Sequence, residues 1–527
     1  MVLSNHSLQR FLDKRSRLVV GLFFAAFLLI GLGIYKDYGL SWDEMINHDN
    51  GTMAFNYAFK GDPSLLTYTD RYYGVAFEMP LIMIEKILKL ETSRQVFLMR
   101  HLATFLMFFL GVVFFYRLNK DHFRSWRIGL LGSLLLILSP RLFAESFYNS
   151  KDLVFLSLFI IGIYTLLKFL EKTSLFRAAV HAFVCALLID VRVLGILVPG
   201  LTLIFCVAGM MTGERSQRLR RRNGIFSLVL FFVLTSGLTV LFWPILWKNP
   251  LGQFIQALRT MGRYPWDWPI LYLGRYHASS NLPWHYIPVW MLITTPLLYF
   301  ALFLIGLFRS FIEIVKRRFR LFLEDKKRND LLLWSWFFIP LLAVIVFKSV
   351  VYDSWRHLYF IYPAFLMMSI KGMLTLLASL KSMGRSGKVL APLFILIIFL
   401  SLTHTTVLMI AHHPFQNVYF NGLAGGDLRA KWELDYWGLS YRQALEYILG
   451  HDRAERIPVY VANYPGELNQ YILKPEDRKR LLYSSEPEGA TYVLSNYRWH
   501  REDYPYPNEF YSIAVGRAKI MSVFKLE

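Results

Sequence analysis

The sequence predicts an α-helical membrane protein with about eleven spanning helices, followed by a small α/β domain at its C-terminal end. First, 55% of the 527 residues are hydrophobic, only 18% are charged and the mean hydropathy is +0.37, which is too apolar for a soluble fold of this length. Second, apolar runs of roughly 20 residues, the length that crosses a bilayer core, recur along the chain. Third, the chain becomes polar after residue 411.

The apolar runs place the predicted spans in order along the chain. They cover residues 18–35, 96–116, 128–143, 153–170, 177–190, 193–211, 225–246, 286–308, 331–349, 356–377 and 388–411. Because no small-residue cleavage pattern follows the first run, we expect an uncleaved helix and a cytoplasmic N-terminus. Only Asp190-Val-Arg192 separates the fifth and sixth spans. These charges are either an ion pair inside one broken helix or a turn between two short helices, and the alternation of basic connections favours the turn.

Basic residues cluster in every second connection between the predicted spans. The clusters lie at 10–17, 117–127, 168–177, 215–222, 309–328 and 371–388. Since cytoplasmic loops carry an excess of Lys and Arg, we assign these connections to the cytoplasm. The net charge of +21 then reflects membrane topology, and we expect no nucleic-acid partner. The opposite side receives the loops 36–95, 139–152 and 245–285.

The polar tail predicts a second domain, residues 412–527, after a transmembrane domain at 1–411. Helical periodicity is followed by short runs that are typical of strands. The helix is predicted at 439–450 and the strands at 458–462, 491–495 and 513–525. By the same topology this small soluble domain is extracytoplasmic.

Two outward loops carry charged residues close to the membrane surface. The first begins directly after helix one and places the adjacent carboxylates Asp43 and Glu44 there. The second brings Arg141, Lys151 and Asp152 to the same side. Polar residues that return to one membrane surface from separate loops predict a shared site.

Two further basic groups precede the tenth span on that side. Arg356 and His357 lie near the start of this span. Cations at such a depth can hold a phosphate, although Arg356 could equally extend to the membrane interface and His357 could be a hydrogen-bonded helix-end residue.

In these features the sequence resembles the GT-C superfamily of polyprenyl-phosphate-dependent glycosyltransferases. It is most similar to the branch that contains glycosyltransferase family 39, the protein O-mannosyltransferases and the lipid A aminoarabinose transferases. The resemblance rests on Asp43-Glu44, the loop 140–152 and the multi-span body, and it covers residues 15–410.

The resemblance implies roles for several residues. Asp43 would be the catalytic acidic residue, with Glu44 beside it and Asp152 as a second acidic residue of the site. Tyr73 and Glu78 would belong to the substrate-facing part of the first loop.

The expected activity is transfer of a sugar from a polyprenyl-phosphate carrier to an acceptor hydroxyl on a lipid, protein or glycan. Asp43 would take the proton of that hydroxyl as general base. Arg356, His357 and Lys151, with Arg141 nearby, would stabilise the departing phosphate. The resemblance also implies inversion at the anomeric carbon. Short loops favour a bacterial inner membrane, with the tail periplasmic or extracellular.

Two other classes of function were weighed. A transporter or flippase of lipid-linked sugars would carry its charges midway along broken helices, whereas the acids here lie at span ends and in loops. A receptor or scaffold that binds through the tail would leave Asp43 and Asp152 replaceable.

The long loop 245–285 leaves two interpretations open. His277 and His285 could hold a divalent metal with Glu78 or Asp43, although no compact ligand spacing supports it. Its aromatic residues favour an interfacial belt over sugar stacking, and the loop could also cover the site as a lid. The aromatic set is Tyr264, Trp266, Trp268, Tyr272, Trp284 and Tyr286.

Overall fold

The computed structural model describes residues 15–212, 218–262, 264, 266–317 and 325–526. The helices before the tail are α1 Ser16–Ile34, α2 Glu44–Lys60, α3 Glu78–Ile87, α4 Ser93–Phe123, α5 Trp126–Ile137, α6 Pro140–Tyr148, α7 Asp152–Glu171, α8 Leu175–Val191, α9 Leu197–Thr212, α10 Arg218–Phe242, α11 Pro250–Gly262, α12 Tyr286–Thr294, α13 Leu297–Arg317, α14 Asp325–Val346, α15 Tyr362–Lys381 and α16 Gly384–Ala411. A short hairpin, β1 Ile270–Tyr272 and β2 Arg275–His277, lies between α11 and α12. Residues 10–14 and the side chains of the predicted basic clusters at 215–222 and 317–328 lie outside the described part of the chain.

The structure confirms a helical multi-pass membrane protein but gives fewer long spans than the predicted eleven. Within the described residues, eight helices are long and apolar enough to cross a membrane, and the α5–α6 pair makes a ninth if it is counted as one span. The helices α8 and α9 have only 17 and 16 residues, which is short for a span. The chain turns between them, so the turn interpretation of Asp190-Val-Arg192 is correct.

Two predicted spans are interrupted near a proline, which cannot donate a helical hydrogen bond. The predicted span 128–143 ends as a helix at Ile137, and α6 departs at 72° after Pro140 begins it. The predicted span 286–308 is divided between α12 and α13, with Pro296 in the break. The second loop is therefore a short buried helix rather than an open connection.

The helix α7 forms the centre of the bundle. Most of α7 and α15 is buried, whereas α1 and α16 expose most of their apolar side chains, as expected for helices that face lipid. The basic connections at 117–127, 168–177 and 371–388 lie at one end of the described structure, where Lys168 pairs with Asp121 at 2.8 Å and Lys371 pairs with Glu313 at 2.8 Å. We call the other end the loop end, because it carries residues 35–92 and 139–151.

The tail folds into a five-stranded mixed sheet. Its helices are α17 Leu428–Lys431, α18 Ser440–His451, α19 Pro465–Leu468 and α20 Pro475–Arg478, and its strands are β3 Ile457–Val461, β4 Leu481–Tyr483, β5 Tyr492–Ser495, β6 Glu509–Val515 and β7 Ala518–Lys525. The strand order is β4-β3-β5-β7-β6, with β3 parallel to β4 and β5 and with β7 antiparallel to its two neighbours. The predicted helix and α/β character are confirmed. The single predicted strand 513–525 is instead part of a hairpin that turns at Gly516, whose φ of 60° suits glycine.

The tail domain packs directly on the first loop. The Asn469 side chain binds both backbone groups of Leu40: it accepts from the N–H at 2.8 Å and donates to the carbonyl at 3.0 Å. Arg442 donates to the carbonyl of Tyr38 at 2.8 Å. The backbone that leads into Asp43 is therefore fixed by the tail domain.

Candidate active site

Arg356 joins carboxylates from three separate segments at the loop end. It begins the 3₁₀ turn Arg356–Ile361 that leads into α15, and it is only 2% exposed. Its Nη1 donates to Asp43 Oδ2 at 3.0 Å and to Asp152 Oδ2 at 3.2 Å, while Nη2 lies 3.4 Å from Asp353 Oδ2. A buried guanidinium needs such partners, since an unpaired buried charge is strongly destabilising.

Two of these carboxylates are placed by helix starts. Asp43 directly precedes α2 but caps no backbone N–H, so its side chain turns toward Arg356. Asp152 is the first residue of α7, where the helix dipole favours a negative charge. Asn149 fixes it further, because its Oδ1 accepts from the Asp152 N–H at 2.8 Å and its Nδ2 donates to Oδ2 at 3.0 Å.

The second oxygen of Asp152 pairs with a residue that was not predicted for the site. Arg192 Nη2 lies 2.8 Å from Asp152 Oδ1. The alternative in which Asp190 pairs with Arg192 is therefore not the one observed, and Asp190 instead accepts from the backbone N–H of Val75 at 3.0 Å. The sequence predicted that Arg192 lies in a turn on the same side as Asp152, but it did not show which acid Arg192 contacts.

Lys151 is a cation of the site without a carboxylate partner among the described residues. Its Nζ lies 3.5 Å from the centre of the Tyr73 ring, a cation–π contact. No described carboxylate oxygen lies within 4 Å of this nitrogen. Burial lowers the pKa of the Lys151 ammonium, which an anionic ligand would oppose.

Glu44 and Glu78 are engaged in buried contacts behind the cluster. Glu44 accepts from the Ser41 N–H at 2.7 Å and contacts His101 Nε2 at 2.8 Å. Glu78 pairs with Arg100 and accepts from Ser150 Oγ at 2.6 Å. The structure therefore does not bring these two predicted residues to Arg356, and they hold α2 and α3 against α4.

Arg141 and His357 also lie outside the ion cluster. Arg141 is buried, donates from Nε to the Tyr419 carbonyl at 3.0 Å, and lies over the Phe420 ring at 4.6 Å. The ring of His357 packs edge-on against Tyr352 at 4.6 Å. His357 is beside the cluster but forms none of its described ion pairs.

The tail domain completes the cluster, which the sequence analysis did not predict. Arg498 donates to Asp353 Oδ1 at 2.8 Å, and the Trp437 ring lies 4.7 Å from the Arg356 guanidinium carbon. Asp353 and Ser354 have φ values of 53° and 65°, a conformation that costs energy in residues with a side chain and often occurs at functional sites. Nothing local in the sequence links Arg498 to Asp353, because 145 residues separate them.

The aromatic residues of the long loop pack on the site and on the tail. Trp266 stacks on Tyr352 with 3.9 Å between ring centres, and Trp268 stacks on Trp499 at 4.5 Å. These contacts place Trp266 and Trp268 against the site and the tail domain, whereas Trp284 is 71% exposed, and the interfacial belt stays a prediction. The loop covers the cluster from the side of Tyr352.

The predicted metal ligands are not gathered into one group. Among the residues that the structure describes, no three His, Cys, Asp or Glu side chains form a candidate metal site. His285 Nδ1 contacts the Tyr272 hydroxyl at 2.6 Å, and Glu78 is paired with Arg100. The positive charge between the carboxylates of Asp43 and Asp152 is supplied by the Arg356 guanidinium.

Gly74 allows the first loop to approach α8 closely, which leads to a prediction. A Cβ at this position would lie 1.2 Å from the Asp190 carbonyl oxygen. We expect Gly74→Ala to displace Tyr73 from Lys151 and to lower stability by about 1–3 kcal/mol, the usual cost of overpacking. Thermal unfolding in detergent measures this. Gly33→Ala is the control, because its Cβ would meet nothing within 4 Å, and equal unfolding temperatures for the two variants would contradict the prediction.

A buried acid next to the Arg498 pair predicts a pH-dependent stability. Glu433 is buried, and burial raises its pKa to about 7. An acid whose pKa is higher in the folded protein than in the unfolded chain makes the fold less stable as the pH rises. The loss begins near the unfolded pKa of 4.5 and continues through the folded pKa. We therefore expect Glu433→Gln to unfold at a higher temperature than the wild type at about pH 8 and at a similar temperature at about pH 4.

A surface acid of the same domain provides the control for Glu433. Glu455 is exposed, so Glu455→Gln should follow the wild type at both pH values. A Glu433→Gln protein with an unchanged pH profile of unfolding would contradict the role of burial.

Similarity to known proteins is found in the fold and not in the sequence. No family model and no curated protein matches the sequence. The apo oligosaccharyltransferase of Archaeoglobus fulgidus matches 90% of this chain and 69% of its own, with a TM-score of 0.52 and 10% identity. The same enzyme tethered to an acceptor peptide matches 92% of this chain and 70% of its own, with a TM-score of 0.52 and 11% identity. This chain has the GT-C fold.

A further similar structure has nearly the same length as this chain. ArnT from Cupriavidus metallidurans, bound to undecaprenyl phosphate, matches 97% of this chain and 98% of its own, with a TM-score of 0.48 and 14% identity. The two oligosaccharyltransferase structures, which match 90% and 92% of this chain, confirm the predicted resemblance to GT-C proteins at the level of the fold.

Proposed function

We propose that this GT-C chain transfers a sugar from a polyprenyl-phosphate carrier to an acceptor hydroxyl at the loop end of the membrane domain. The observation that carries the proposal is the cluster around Arg356, where a partly exposed carboxylate lies beside cations that can receive a phosphate. In a bacterial inner membrane, the loop end and the tail domain would face the periplasm.

Asp43 is the proposed general base. Its side chain is 22% exposed, whereas the side chain of Asp152 is 1% exposed. Arg356 holds Asp43 Oδ2, and none of the described residues donates a hydrogen bond to Oδ1. One oxygen is therefore oriented while the other can accept the proton of an acceptor hydroxyl.

Lys151 and Arg192 are the proposed phosphate ligands. Lys151 has no described carboxylate within 4 Å. Among the described ion pairs Arg192 has one, from Nη2 to Asp152, and 16% of its side chain is exposed. Fixed cations bind the negative charge that the carrier phosphate already has in the donor, and they also stabilise the charge that it gains on leaving. Both Nη atoms of Arg356 already contact carboxylates, so its proposed role is to orient Asp43.

The proposed reaction is a single displacement. The acceptor oxygen forms a bond to the anomeric carbon as its proton moves to Asp43. The bond between that carbon and the phosphate oxygen breaks, and its electron pair leaves with the polyprenyl phosphate. Attack from the face opposite the phosphate inverts the anomeric configuration.

A transfer assay tests this function. Purified wild-type protein is mixed with membrane extracts and a panel of radiolabelled polyprenyl-phosphate sugars, beside Asp43→Asn. Label that enters the extract only with the wild type supports the proposal and identifies the sugar. If the label instead crosses the membrane of proteoliposomes while still attached to its carrier, at equal rates for both proteins, the result favours a flippase and overturns the transferase proposal.

Lys151→Gln should weaken binding of the carrier phosphate. A charge-assisted contact contributes about 1.5–3 kcal/mol, so we expect the KM for the donor to rise roughly 10–100-fold with a smaller change in kcat. Initial rates at varied donor concentration measure this. Lys474→Gln, an exposed lysine of the tail domain, is the control and should match the wild type. An unchanged donor KM in Lys151→Gln would contradict the assignment.

A further inference from the structure

A polar cavity lies at the end of the bundle opposite the loop end. It has a volume of about 1040 Å³ and lies between α1, the α4–α5 turn and the C-terminal end of α7. Its basic lining residues are Arg17, Lys120, Arg124, Arg127 and Lys168. No step of the proposed transfer uses these residues.

The cavity has an excess of positive charge. Its two acids are already engaged, because Lys168 lies 2.8 Å from Asp121 and 3.0 Å from Glu171. By contrast, three cations line the α1 and α4 sides of the cavity without a described carboxylate within 4 Å. These are Arg17, Lys120 and Arg124. Because the two acids of the cavity are paired with Lys168, the positive charges of these three side chains repel each other, and an anion bound among them would be stabilised.

Local structure holds these cations in place. Lys120 lies in the last turn of α4, where the helix dipole favours a positive charge. Arg124 ends the helix in the left-handed conformation with φ 54°, and its N–H donates to the Lys120 carbonyl. The turn therefore directs two cations to the same cavity.

The cavity also opens toward the apolar surface of the bundle. Val20 and Gly21 of α1 form part of its wall, and a Cβ on Gly21 would meet nothing within 4 Å. Tyr116 and Trp126 line it as well, and such side chains are enriched at the depth of lipid headgroups. A ligand with an anionic head and apolar chains fits both parts of the wall.

We infer that this cavity binds the phosphodiester headgroup of an anionic phospholipid from the leaflet opposite the loop end. Basic pockets between spanning helices recognise anionic headgroups in this way. The acyl chains would lie along α1, beside Val20 and Gly21. This inference does not depend on the proposed sugar transfer.

Photo-crosslinking of the full-length wild type tests the site directly. The protein is reconstituted in phosphatidylcholine nanodiscs that contain a photoreactive phosphatidylglycerol, and the labelled peptides are mapped. We expect labels within residues 16–21 and 116–127. Excess unlabelled phosphatidylglycerol should remove them, whereas phosphatidylcholine should not. Labels spread along all lipid-facing helices would overturn the inference.

Native mass spectrometry of variants adds a second measurement. We expect Arg17→Gln/Lys120→Gln/Arg124→Gln to lose its preference for phosphatidylglycerol over phosphatidylcholine by at least tenfold. The control Arg385→Gln/Lys388→Gln removes exposed charges at the start of α16 and should keep the preference. If the triple variant fails to fold, the crosslinking result on the wild type decides.

Inorganic phosphate distinguishes a lipid from a free anion. Phosphate added to the delipidated protein at the same concentration should not reproduce the thermal stabilisation given by phosphatidylglycerol, because it lacks the acyl chains. Equal stabilisation by both, or equal loss of lipid preference in the two charge variants, would overturn the lipid assignment.

Discussion

Asp43→Asn is expected to lose sugar transfer by about 10²–10⁴-fold, the contribution of a general base, while the protein remains folded. Asparagine keeps the shape of the side chain and can still accept from Arg356, but its amide cannot take the acceptor proton at neutral pH. Initial rates of transfer, with the folded fraction measured by size exclusion, check this expectation.

The neighbouring helix α2 supplies a matched control for Asp43. Asp49 is half-exposed and contacts only His48, at 3.8 Å, among the described ion pairs. Asp49→Asn should transfer sugar at the wild-type rate. A folded Asp43→Asn protein that is equally active would eliminate Asp43 as the base and leave the GT-C fold without an assigned catalytic residue.

Arg356→Gln is expected to destabilise the protein by about 3–5 kcal/mol and to abolish transfer. Removing the guanidinium leaves Asp43, Asp152 and Asp353 facing one another without the charge that joins them, and breaking a buried ion pair has a cost of this size. The unfolding temperature in detergent and the yield of monodisperse protein measure the effect.

A second substitution separates charge compensation from simple loss of packing. Adding Asp152→Asn to Arg356→Gln removes one of the three opposed carboxylates, so it should recover part of the lost stability without restoring transfer. Arg385→Gln, on the exposed start of α16, should leave stability unchanged. If Arg356→Gln unfolds at the wild-type temperature, the cluster does not depend on the guanidinium.

The cluster also changes which cations we assign to the phosphate. The sequence placed Arg356, His357 and Lys151 on one side of the membrane, and each could have faced a lipid phosphate. In the structure three carboxylates surround Arg356, and His357 forms none of the described ion pairs. Lys151, together with Arg192, is therefore the stronger candidate.

The sequence alone predicted a helical multi-pass membrane protein and the meeting of the site residues at one end of the bundle. Hydropathy gives spans because every backbone polar group in lipid must be satisfied inside a helix, and the distribution of Lys and Arg orders the connections. These local properties were enough to place Asp43, Asp152 and Arg356 on one surface. The structure brings a carboxylate oxygen of Asp43 and one of Asp152 to 3.0 Å and 3.2 Å from Nη1 of Arg356.

Only the tertiary structure decided the pairings. Arg192 contacts Asp152 rather than Asp190, and Arg498 reaches Asp353 from the tail domain. The tertiary structure also placed Glu44 and Glu78 in contacts behind the cluster, although their sequence positions resemble that of Asp43. An ion pair depends on the position and direction of two side chains brought together by packing across the whole chain, whereas hydropathy and charge patterns report only the environment of each segment.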